Sequence, residues 1–224
     1  FRWGAEPQDL LYEEAVPFIK FALGENVKQS NWGDGYRSRF PQTRMGVEQV
    51  YYDHFIRARE YGQAQIEHRA ALRNTKRKDI REGRGPVAPR VDLELETLLQ
   101  ILNEERFVTC HSYRQDEINM LMHVADSLGF RLNTFTHILE GYKVADKMAE
   151  HGAGGSSFSD WWAYKYEVKD AIPYNGAVLH NQGVVTAFNS DDAEMARRLN
   201  QEAAKAYKYG RVPEEEALKF VTLN

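Results

Sequence analysis

Three short β-prone runs each close on a side chain able to bind metal or carry a proton, and each is followed by a helix-length amphipathic segment. This repeat sets the strongest limit on how the chain folds. Phe107-Val108-Thr109-Cys110 runs into His111, residues 130–136 run into His137, and Val184-Val185-Thr186-Ala187-Phe188 runs into Asn189-Ser190-Asp191. The segments that follow, 116–128, 140–151 and 193–209, read as helices. In the first of them Ile118, Leu121, Met122 and Ala125 share one face, and Gly129 and Gly152 are placed to stop the first two. Strands alternating with helices of this length form βαβ units and hence a parallel sheet with helices packed on it. His111 and His137 stand 26 residues apart, one βα repeat, and Asp191 follows His137 by 54, two repeats. That period sets all three at C-terminal strand ends, the rim where barrel enzymes carry their active sites. Two imidazoles and a carboxylate at one rim suit a divalent metal, with zinc the expected ion.

Upstream, 17–23 reads as a buried strand ending in Gly24-Glu25-Asn26, followed by a polar, aromatic loop with turn signals at Asn31-Trp32-Gly33-Asp34-Gly35. Val47, Val50, Tyr51, His54, Phe55, Ala58 and Tyr61 then mark the buried face of a long helix over 45–78. The charge-dense stretch 69–84 is expected to project into solvent. Residues 154–158 form a weaker strand candidate, 175–181 a helix, and Trp161, Trp162, Tyr164 and Tyr166 are expected to pack against an outer helix, with the lining of a substrate mouth as the alternative. The whole is expected to be α/β: one domain over 1–224, a partial (β/α)8 TIM-barrel-like parallel sheet with flanking helices and a helical insertion at 44–90 after the first strand. In that first strand, Phe18, Lys20 and Ala22 face one way and Ile19, Phe21 and Leu23 the other. Lys20 is expected to point inward, towards His111 and His137, leaving Glu25 to hold the loop or meet substrate.

Hydrophobic residues at 42% and aromatics at 12% are enough for a packed core. With 29 basic against 33 acidic residues the net charge is −4, which speaks against a nucleic-acid partner. No apolar run approaches the ~20 residues of a membrane helix. The single cysteine, Cys110, can form neither an internal disulfide nor a thiolate zinc cage. The expectation is a soluble protein with no nucleic-acid or membrane partner, its compartment open. His151 and His180 fall at helix ends, where a cation complements the helix dipole, and are read as structural. His54, His68 and His123 lie on helices and receive no role.

Cys110-His111-Ser112-Tyr113, Phe135-Thr136-His137 and Phe188-Asn189-Ser190-Asp191 resemble the strand 5, 6 and 8 metal motifs of the amidohydrolase superfamily, most of all its imidazolonepropionase-like and prolidase-like branch. Phe18-Ile19-Lys20-Phe21-Ala22-Leu23-Gly24-Glu25-Asn26 resembles strand 4 of that branch, whose lysine is often carboxylated and bridges two metals. The resemblance runs from about Phe18 to the end, including Pro41-Gln42-Thr43-Arg44-Met45-Gly46 and the closing Val221-Thr222-Leu223-Asn224. It implies a metal-dependent hydrolase acting on the carbon–nitrogen bond of a small-molecule amide, whether cyclic amide, imide or dipeptide-like. It implies Lys20, His111, His137 and Asp191 as ligands of one or two divalent ions per full-length chain. Asp191 would take a proton from the attacking water and pass it to the leaving nitrogen, and Tyr113 and Arg114 would contact substrate. Lys20 could ligate only as a carbamate; Glu25 is the alternative strand 4 ligand, needing no modification.

One departure is plain. The family's first strand carries a His-x-His pair, and the seven histidines here (54, 68, 111, 123, 137, 151 and 180) contain none. With strand 4 near residue 18, the chain reads as strands 4 to 8, the second part of a barrel. Such a piece alone is expected to lack the full metal site and the activity. Its open strand edges predict a homo-oligomer or pairing with a complementary N-terminal barrel segment. The alternative function is a catalytically inactive barrel fragment or interaction module.

Overall fold

The computed structural model describes residues 4–10, 14–28, 33, 39–159, 161 and 163–224. Trp162 and, apart from Gly33, the expected turn at 31–35 lie outside the described residues. Among the described residues five strands, β1 (Phe18–Ala22), β2 (Phe107–His111), β3 (Thr134–Thr136), β4 (Gly154–Ser157) and β5 (Thr186–Phe188), form one sheet in chain order, every neighbouring pair parallel. Helices α1 (Glu25–Lys28), α2 (Arg44–Asn74), α3 (Arg77–Arg81) and α4 (Leu93–Leu102) connect β1 to β2. The remaining crossovers are α5 (Gln115–Leu128), α6 (Ala145–His151) and α7 (Asn175–Asn181), and α8 (Ala193–Ala196), α9 (Leu199–Gly210) and α10 (Glu214–Lys219) follow β5. Parallel strands joined in order by helical crossovers are the repeating unit of the TIM barrel. The fold is the α/β arrangement of the partial-barrel type.

Several elements are shorter than their sequence pattern: α2 ends at Asn74, β5 begins at Thr186, the helix expected over 193–209 is divided into α8 and α9, and β3 and α6 lose their first residues. β3 begins at Thr134 because Asn133 uses its side chain and its backbone N–H to bond Val108, so 130–133 is a buried connection rather than a strand. α6 begins at Ala145 because Glu140 turns its carboxylate onto the backbone N–H of Gln115, leaving 141–143 as a single tight turn.

The sheet has two unlike faces. Leu23, Val108, Cys110 and Phe135 point outward and are 0% exposed, covered by Ile118, Leu121 and Val124 of α5, Met148 of α6 and Phe55 of α2. Phe55 stacks on Phe130 with ring centres 4.3 Å apart, and Tyr51 donates to the Ala22 carbonyl, so α2 clamps β1 from outside. Farther along, α2 packs on α4 through Ala58, Tyr61 and Leu95, and residues 69–84 are mostly exposed. The inner face is more open: Phe18 is 50% exposed, Lys20 is exposed, and Thr109 and Thr136 are half-buried. Register pairs Lys20 with Thr109 and Ala22 with His111, so Lys20 and His111 share the inner face. β1 and β5 are the two edges of the sheet.

Candidate metal and substrate site

His111 ends β2 and His137 follows β3, which brings their rings to 5.1 Å at the C-terminal rim. Tyr113 meets His111 edge-on at 4.8 Å, and Phe158 stacks on His137 at 5.0 Å. His137 has φ +64, a left-handed conformation that costs an L-residue about 1–2 kcal/mol. It is held there because Leu139 N–H bonds its carbonyl at 2.8 Å while Ile138 N–H bonds Ser156 of β4. Burial disfavours the charged form of both rings. It depresses the His111 pKa to about 4, helped by His137 and by the ammonium groups of Lys20 and Lys165. His137 is lowered as well, with nearby Asp191 opposing burial and the two lysines reinforcing it. Both imidazoles are therefore neutral at pH 7. Among the described residues His111 has no hydrogen-bond partner for either ring nitrogen. Asp191 is 56% exposed, its Oδ2 3.8 Å from His137 Nε2. Lys20 approaches from the inner face, near enough to act on both rings.

The other predicted residues lie around this pair. Tyr113 is buried between the histidines and Lys165, whose Nζ sits 4.0 Å above its ring. Glu25 points into a charged collar, 3.6 Å from Lys165. Arg114 is forked onto Asp116 at 3.0 and 3.4 Å and faces a cleft of about 420 Å³ shared with Arg44, Lys28, Tyr166 and Glu167. The segment after β4 does not pack against an outer helix. Phe158 anchors it on His137, Trp161 packs on Phe158 at 4.8 Å, and Tyr164 meets Trp161 edge-on at 5.6 Å, so the aromatics lie across the mouth. The anchor decides this: a chain leaving β4 beside a stacked imidazole is already at the rim.

Several residues of the rim escape sequence reasoning. Asn189 places its amide nitrogen 2.9 Å from His137 Nδ1, and the Ser156 hydroxyl donates to the amide oxygen. Lys28 and Glu117, both buried, pair at 2.5 Å, and the Glu117 carboxylate also accepts from Gly24 N–H. Glu167 is buried beside them, 3.9 Å from Lys28, and among the described residues neither of its oxygens has a hydrogen bond. One signal was available for Glu117: it precedes Leu121 by four and so falls on the apolar face of its helix. Gly24 turns the chain off β1 with φ +84, and a Cβ there would lie 3.2 Å from Glu167 Oε1. Gly24→Ala is expected to cost about 1–2 kcal/mol in a denaturation experiment, the left-handed penalty of a side chain.

Burial, then Glu117 and Glu25, raise the Glu167 pKa above its ordinary 4.5. The folded protein thus holds a proton that the unfolded chain has released, and stability falls as pH rises through that window. Glu167→Gln is expected to raise the thermal midpoint at pH 8, with the gain shrinking towards pH 4. A gain that persists unchanged at pH 4 contradicts this.

Among the described residues, no group of three or more His, Cys, Asp or Glu side chains is gathered closely enough to hold an ion. The two imidazoles nonetheless match the nitrogen donors of a divalent ion: both are neutral, and among the described residues the His111 ring nitrogens have no hydrogen bond. They fall short of the four ligands a closed zinc site uses.

Fold and rim together define an α/β chain of the TIM-barrel type with its polar groups where such barrels carry their active sites. No protein-family model matches the chain. The amidohydrolase tasK of Hapsidospora irregularis is 27% identical over 210 residues, covering 92% of this chain and 20% of the relative. The crystal structure of an amidohydrolase from Thermotoga maritima MSB8 matches with a TM-score of 0.74 and 26% identity, covering 96% of this chain and 52% of that one. The chain thus spans a fifth of the first protein and about half of the second. These similarities support the amidohydrolase superfamily and a hydrolase function. Among the described residues no helix is long and apolar enough to cross a membrane.

Proposed function

We propose that this chain is the C-terminal part of the barrel of a metal-dependent hydrolase, of the imidazolonepropionase-like and prolidase-like branch, that cleaves a carbon–nitrogen bond in a small amide. The observation that carries the reading is the pair of neutral imidazoles at the C-terminal rim, with Asp191 3.8 Å from the second. His111 and His137 would hold a divalent ion, zinc first, through ring nitrogens, and Lys20 would join only as a carbamate, for which its inner-face position is suited. Glu25, turned to Lys165, is the weaker candidate. When bound, such an ion lowers the pKa of water and polarises the substrate carbonyl. Asp191, exposed beside His137, takes the proton of the attacking water and returns it to the leaving nitrogen. Tyr113 contacts substrate from the rim, and Arg114 from the cleft beside it.

The edges at β1 and β5 are proposed to receive a complementary barrel segment, or a second copy, which supplies the missing ligands. No nucleic-acid or membrane partner is proposed. Elemental analysis of the full-length protein tests the reading, together with turnover of simple cyclic and dipeptide-like amides. About one or two divalent ions per chain are expected; a metal-free protein with undiminished turnover would sink it.

A further inference from the structure

We propose that Asn189 selects the tautomer of His137. The His137 ring is fixed on three sides: Phe158 stacks at 5.0 Å, His111 stands at 5.1 Å, and the left-handed backbone at φ +64 sets the direction of Cβ. What these contacts leave undetermined is which nitrogen bears the proton, because stacking is indifferent to it. Asn189 decides that. Its amide N–H donates to Nδ1 at 2.9 Å, so Nδ1 is the bare nitrogen. A neutral imidazole has a single N–H, so the proton sits on Nε2, on the side of Asp191 Oδ2 at 3.8 Å. The buried Ser156 donates to the amide oxygen from behind, so both ends of the amide are paired.

In that state Nε2 has no lone pair to offer. The same side chain can reverse it: turned over about its Cβ–Cγ bond, Asn189 presents Oδ1, accepts from Nδ1–H, and leaves Nε2 bare. Ser156 serves both orientations, because a hydroxyl donates or accepts. Asparagine is one of the few residues able to do this, since aspartate only accepts and leucine does neither. Asn189 is thus a positioning residue with two settings. One suits the Asp191 side of the rim, and the other prepares His137 to ligate a cation, as metal-ligating histidines do when their second nitrogen donates to an oxygen. Only this second setting rests on the metal reading above.

The test is a long-range proton–nitrogen correlation spectrum of the 224-residue chain labelled with ¹⁵N-histidine, recorded at a mildly basic pH. The wild-type protein should show His137 protonated at Nε2. Asn189→Asp should transfer the proton entirely to Nδ1, and Asn189→Leu, which neither donates nor accepts, should give a mixture of the two forms. Adding zinc chloride to the wild-type chain should move the proton to Nδ1 and shift the Nε2 resonance. A wild-type His137 protonated at Nδ1 without metal would overturn the proposal. So would a single unchanged Nε2–H form across wild type, Asn189→Asp and Asn189→Leu. If the substitutions act as expected and zinc leaves the spectrum unmoved, the tautomer selection stands and the second setting of Asn189 alone fails.

Discussion

Lys28→Met is expected to lower the unfolding free energy by about 3–5 kcal/mol, the cost of stranding a buried charge by deleting its partner. Lys28 is 7% exposed and Glu117 1%, and their charges meet at 2.5 Å beneath the turn that leaves β1. The lysine also lies 3.9 Å from Glu167, so its removal would leave two buried carboxylates side by side. Among the described residues three of their four oxygens already lack a hydrogen bond, which leaves little to absorb the loss. Glu117→Leu alone is expected to be costly for the mirror reason, with Lys28 left facing a Glu167 whose pKa is already raised. The double variant should recover most of the loss, since replacing both members of a buried pair with apolar groups is often neutral. Denaturant titration of the three variants decides it. A Lys28→Met cost below about 1 kcal/mol would mean that the pair behaves like a solvent-exposed one.

That collar also shows where sequence reasoning stops. The order of strands and helices was legible because each element carried its own local pattern: α5, expected over 116–128, spans Gln115–Leu128 and ends at Gly129 in the left-handed conformation. The strand-end positions of His111 and His137 followed from the same pattern, because a βα repeat fixes where each strand stops. The collar is assembled from the turn after β1, the first turn of α5 and the segment after β4. No local pattern links three such places, and Lys28 read as one more residue of a polar loop. The aromatic segment near Trp161 failed for a related reason: large rings pack equally well on a helix or across a mouth, and only the Phe158–His137 stack chooses. Asn189 was visible as part of a polar strand ending, but nothing in Asn189-Ser190-Asp191 says which of the three turns to the histidine.

On the function proposed above, Asp191→Asn in the full-length protein is expected to lower kcat/KM by about 10²–10⁴-fold, the usual worth of a positioned acid–base group. Asparagine keeps the shape and can still hydrogen-bond, but it cannot take and return a proton. Asp191 is 56% exposed at the edge of the site, so the fold and the thermal midpoint should hardly change. His111→Ala should lose as much turnover or more and should also lose bound metal, which separates a ligand from a proton carrier. Its structural cost is limited to ring contacts with Tyr113 and His137. It carries a further signature in acid. Folded His111 has its pKa lowered from 6.5 to about 4, so between those values the unfolded chain binds the extra proton and wild-type stability falls with pH. His111→Ala removes that contribution, and its thermal midpoint should fall less steeply than wild type from pH 7 to pH 4. Full turnover in Asp191→Asn would remove the carboxylate from the reaction. A metal-free His111→Ala protein with wild-type activity would remove the metal.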